Sequence, residues 1–146
     1  MNASQHGLGL ATRVTPRRAR IAIVLIGILL PYAARLPGGI AWLQQYTDAG
    51  LNGFLFLSAF NAIAWGAILA ISFLYRHALP MAVPALLGFG FLAWAHYTLD
   101  LASDAQAAVG LVFIPIYALL PIVVGGVAGY IADRRLRRRS SGEDNP

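Results

Sequence analysis

The sequence predicts an all-α, integral membrane four-helix bundle with both termini in the cytoplasm, and three observations carry that expectation. Hydrophobic residues make up 58% of the 146 positions against 12% charged, far from the balance of a soluble domain. The apolar residues gather into runs at about 21–36, 51–75, 78–99 and 107–132, each long enough to be weighed as a membrane span. All eleven basic residues are Arg, and they cluster at alternate ends of those runs. Residues 1–20 then form a cytoplasmic tail, 21–132 the transmembrane domain and 133–146 a basic cytoplasmic tail.

The first run, Ile21 to Ala34, follows Arg17, Arg18 and Arg20 and is interrupted by Pro31. It spans if Arg20 and Arg35 both snorkel to the interfaces. A basic stretch, an apolar stretch and Ala33-Ala34 also imitate a secretory signal peptide. Retention is the preferred reading, because four spans satisfy the arginine distribution without conflict. Pro37-Gly38-Gly39 then marks a turn, and the segment IAWLQQYTDAG after it suits the headgroup region, with Trp42, Leu43 and Tyr46 on one side.

Leu51 to Tyr75 contains no formal charge and reaches about 37 Å at a helical rise of about 1.5 Å per residue. Periodicity divides it into three faces. Ser58, Asn61, Trp65 and Ser72 form a polar-aromatic strip, the candidate interhelical polar centre, expected to turn inward against the last span. Beside it Ala62, Gly66 and Ala70 form a small-residue strip for helix packing, and Phe56, Phe60 and Ile63 face lipid.

The third run carries Pro80 and Pro84 in its first turns, where missing amide donors cost least. Its other end brings His96 and Asp100 within one helical turn. With Arg35 and Asp104 they form a candidate outer-face polar site, in which a local His96–Asp100 hydrogen bond is expected. Arg35 is expected to pair with Asp48, Asp100 or Asp104, to contact an anionic ligand, or to snorkel outward. The fourth run holds Pro115 and Pro121, which predict a kink, and Gly125 and Gly129, a GxxxG spacing read as an internal helix contact rather than a dimer seam.

Arg134, Arg135, Arg137, Arg138 and Arg139 could suggest nucleic acid. Directly after a span, however, they and Arg17, Arg18 and Arg20 are expected to fix topology and contact anionic lipid. No nucleic-acid partner is expected. Without cysteine there is no disulfide, thiolate metal site or Cys nucleophile. His77 and His96 would stand about 28 Å apart along one helix, too far to ligate one haem, and no cofactor, metal or catalytic residue is expected.

The plan resembles, in size and topology, small bacterial inner-membrane proteins, including immunity proteins against pore-forming toxins. The expected function is non-catalytic binding of a membrane-embedded protein partner, in an immunity-type or accessory-subunit role. The alternative is a homo-oligomeric transporter or channel subunit that joins copies through Gly125 and Gly129 and lines a path with Asn61.

Overall fold

The computed structural model describes residues 15–103 and 106–142. The first helix, α1 (Pro16–Ala33), starts earlier than position 21. Thr15 caps it by accepting from the Arg18 amide at 3.4 Å, and Pro16 at the first turn has its backbone torsion already set for a helix. A 3-10 turn, Leu36–Gly38, leads into the short helix α2 (Ile40–Thr47). Gly39, with φ +86°, makes the reversal that admits α2, and Gly50, with φ +57°, does the same for α3 (Gly50–Ser72).

Helix α4 (Ala82–Thr98) follows a second 3-10 turn, Leu79–Met81. The last helix, α5 (Ala107–Gly142), continues past Ala132 through the arginine run, so the expected tail boundary at 133 falls inside a helix. Arginine is a good helix former, and Asp133 ties this extension to the bundle. Neither Pro115 nor Pro121 ends α5.

Four of the five helices are long and apolar enough to cross a membrane, and among the described residues no strand occurs. Exposed Leu29, Leu86, Leu120 and Val127 give the bundle an outer surface suited to hydrocarbon, which fits a multi-pass membrane protein. Helix α5 packs along both α3 and α4, while α1 lies on α3 and touches α4. The shared core is Ile23, Ala64, Ile68, Leu92, Ala118 and Ile122. Arg20 reaches Ser72 and Arg137 reaches the Leu74 carbonyl, so the start of α1 and the last turns of α5 lie at one end.

Small residues set the helix approaches, though not all at the expected positions. A Cβ on Gly125 would stand 2.7 Å from Pro84 Cα, and one on Gly129 would stand 2.7 Å from the Pro80 carbonyl oxygen. The GxxxG pair therefore makes an internal contact, with the entry to α4. The strip of Ala62, Gly66 and Ala70 does not pack on another helix in this way: a Cβ on Gly66 meets nothing within 4 Å, and Ala70 is exposed. The contact face of α3 is instead Leu57, Asn61, Ala64, Ile68 and Ser72, because medium-sized apolar side chains fill the separation to α4 and α5. Gly27 of α1 is the notch that sequence reading missed, and Trp65 lies directly against it.

Candidate functional site

Arg35 sits just beyond α1, and its side chain turns into the bundle. It is fully buried at 0% exposure. Its Nε donates to the Trp42 carbonyl at 2.8 Å, and Nη1 donates to the His96 and Leu99 carbonyls at 2.9 and 2.7 Å. Nη2 donates to Gln45 Oε1. The guanidinium also lies 4.0 Å from the Tyr46 ring centroid and 4.7 Å from that of Trp42. It thus binds carbonyls at the C-terminal end of α4, where the helix dipole is negative and backbone acceptors lack intrahelical partners.

This corrects the expected carboxylate pairing and the expected snorkelling. Asp100 contacts the site through Gln45, whose Nε2 donates to Asp100 Oδ1 at 2.8 Å while its Oε1 also accepts from the Leu101 amide at 3.1 Å. Asp104 lies outside the described residues. Asp48 is exposed.

His96 does not bond Asp100 either. The reason is local: α4 ends at Thr98, and Leu99 is extended with ψ 112°, which carries Asp100 away from the helical i+4 position. His96 is buried, with Nδ1 2.8 Å from the Tyr46 hydroxyl and Nε2 3.0 Å from Asn61 Oδ1. Asn61 Nδ2 donates to the Leu57 carbonyl at 2.9 Å. A carbonyl can only accept, so the Asn61 nitrogen must face Leu57 and its oxygen must face His96. His96 then carries its proton on Nε2, and Nδ1 accepts from the Tyr46 hydroxyl. With a neutral imidazole the chain runs one way, Tyr46 to His96 to Asn61 to Leu57. Burial pushes the Tyr46 phenol up to about 12, against the opposing pull of Arg35 beside it.

The four residues of the expected polar strip therefore separate. Asn61 joins His96 on α4 rather than α5, Trp65 turns to Gly27 on α1, and Ser72 accepts from Arg20 Nε at 3.2 Å. Ser58 stays half-buried at the edge of α3. Two buried polar atoms have no partner among the described residues, the Tyr32 hydroxyl and Trp65 Nε1. Tyr32 lies edge-on to Tyr46, with centroids 6.4 Å apart.

A second polar cluster lies at the other end. Asp133 is fully buried and accepts from the His77 amide at 3.1 Å, from His77 Nδ1 at 2.8 Å and from the Arg76 amide at 3.4 Å. It also pairs with Arg137. His77 lies before α4, in the connection from α3, so it shares no helix with His96. Tyr75 donates to the Gly126 carbonyl at 2.8 Å. Of the arginines assigned to topology, Arg20 and Arg137 are engaged in these contacts, while Arg17, Arg18, Arg134, Arg135, Arg138 and Arg139 are exposed.

Comparison with protein-family models, with curated proteins and with solved structures finds no match for this chain. The site must be interpreted from its own chemistry. Among the described residues no group of three His, Cys, Asp or Glu side chains is placed to hold a metal ion. The Tyr46–His96–Asn61 chain ends on a backbone carbonyl, which gives a proton no onward path. The arrangement fixes α2 against the C-terminal end of α4 and joins that end to the middle of α3.

The residues missed in the sequence are Gln45, Tyr46, Tyr75 and Asp133. Only Tyr46 left a usable signal there, as the third aromatic-side position of the segment that becomes α2.

Proposed function

We propose that this chain is a non-catalytic, multi-pass inner-membrane protein that binds a membrane-embedded protein partner, as an immunity-type or accessory subunit. Both termini face the cytoplasm in this reading, and the arginine-rich ends of α1 and α5 support that orientation. One observation carries the binding proposal. Tyr117 is 63% exposed about 15 Å along α5 from its first residue, far from either end of an apolar span. Its hydroxyl makes no hydrogen bond among the described residues, and a polar group left unpaired in hydrocarbon is costly.

Around Tyr117, residues Leu87, Phe91, Ile116, Leu120 and Val124 line an open groove of about 800 Å³ between α4 and α5. The occupant that fits is an apolar helix of another membrane protein, carrying a hydrogen-bond acceptor at the level of Tyr117. Gly125 and Gly129 are occupied by Pro84 and Pro80, so they are not open to a second copy as the transporter alternative requires. Asn61 is likewise held between His96 and Leu57 rather than free to line a path.

The test replaces Tyr117 with a photo-crosslinking residue in native membranes and uses exposed Phe56 as the control position. One dominant adduct to a different protein at 117, and none at 56, supports the proposal. Adducts between two copies of this chain would replace it with the homo-oligomeric reading, and no enrichment over Phe56 would overturn it.

A further inference from the structure

On the side of the molecule formed by α1 and α4, near the Asp133 cluster, lies a groove of about 1010 Å³. Its walls are apolar, with Ala22, Ile23 and Ile26 from α1 facing Ala85 and Phe89 from α4. Arg76 and His77 also line it, both from the connection between α3 and α4. The Arg76 guanidinium makes no hydrogen bond or ion pair among the described residues. His77 is held from behind by two bonds to Asp133, through its amide and its Nδ1.

We infer that this groove binds one anionic phospholipid, with an acyl chain between α1 and α4 and the phosphate against the Arg76 guanidinium. The charge pattern selects this occupant over a helix. The lining ends in the Arg76 cation, and the nearest carboxylate, Asp133, is enclosed by His77 and Arg137. Basic pockets between spans at the arginine-rich side of a membrane protein suit acidic headgroups. The volume is at the upper end of the roughly 300–1,000 Å³ typical of small-molecule sites, ample for a lipid chain. The site is separate from the α4–α5 groove around Tyr117 and does not depend on the partner proposed for it.

The test is native mass spectrometry of the full chain, delipidated in detergent and titrated with phosphatidylglycerol or with phosphatidylcholine of identical chains. The expected result is one retained phosphatidylglycerol, bound more tightly than phosphatidylcholine. Arg76→Ala should weaken that binding about fivefold, the equivalent of about 1 kcal/mol for one basic residue at a membrane surface. Ala22→Phe, at an exposed position of α1, should fill the groove and weaken both lipids without lowering thermal stability. Displacement of the bound lipid by inorganic phosphate alone would overturn the inference. So would a preference for phosphatidylglycerol that survives Arg76→Ala and disappears in Arg134→Ala/Arg135→Ala, because the binding would then be to the general basic surface.

Discussion

The two ends of the bundle solve opposite electrostatic problems around the same helix. At one end Arg35 buries a cation against the C-terminal carbonyls of α4; at the other Asp133 buries an anion against the amides of Arg76 and His77, on the approach to that helix. Arg35 complements the negative dipole end of α4, and Asp133 complements two amides of the connection between α3 and α4. The ends differ in what surrounds them. Arg35 is satisfied by carbonyls, the Gln45 amide and two aromatic rings, whereas Asp133 is compensated by Arg137 and His77, whose side chains are 32% and 44% exposed. A lost Asp133 leaves partners whose side chains water can reach, and a lost Arg35 leaves three carbonyls, that of His96 buried, without their charged donor.

That contrast sets the order of expected effects. Arg35→Met should destabilise the protein in detergent by about 3–5 kcal/mol, because it strips three carbonyls and the Gln45 amide oxygen of a charged donor at once and empties a fully buried side-chain site. Arg35→Lys should restore little, since an ammonium cannot reproduce the planar fork. Asp133→Asn should cost less, about 2 kcal/mol, because it keeps an acceptor for the backbone amides and frees partly hydrated partners. Thermal or denaturant unfolding of the three variants checks the order, and equal losses for Arg35→Met and Asp133→Asn would break the contrast.

The small residues provide a finer comparison on the same scale. Gly129→Ala should cost about 1–2 kcal/mol, as its Cβ would meet the Pro80 carbonyl beside the Asp133 end. Gly66→Ala should be neutral or slightly stabilising, because its Cβ enters open space and alanine is the better helix former. Equal effects in an unfolding series would mean that α3 uses its small-residue strip after all.

A separate effect concerns pH at the Arg35 end. The folded-state value for Tyr46, about 12, stands above the ordinary 10.0, so the folded state holds the phenolic proton more tightly than the unfolded chain. The stability this contributes is complete below pH 10 and falls as pH rises toward 12. A phenolate titration by ultraviolet absorbance should show one tyrosine, absent from Tyr46→Phe, ionising well after the exposed ones. Ionisation of Tyr46 together with them would separate it from the buried network.

The four long helices were legible because hydropathy is a local property that each run carries by itself. The inward turn of Asn61 was legible for the same reason, as one amide in an apolar helix must find a partner. The network was not. Arg35 and His96 meet through a fold that brings together residues far apart in sequence, and the i+4 spacing of His96 and Asp100 makes a pair only in a helix that continues past Thr98. Asp133 was assigned to a tail because charge marks the end of an apolar run, although the helix itself continues. The strip of Ala62, Gly66 and Ala70 misled because small residues permit close packing without requiring it.

The central proposal is a division of labour, in which the buried polar groups hold the bundle and the aromatic face around Tyr117 is the proposed recognition surface for the partner. Measuring partner capture per folded molecule in native membranes, side by side for Arg35→Met and Tyr117→Leu, tests it most directly. The account predicts that Arg35→Met lowers stability while its folded fraction still captures the partner, and that Tyr117→Leu keeps stability and loses capture. Capture lost in a fully stable Arg35→Met, with Tyr117→Leu unaffected, would contradict it.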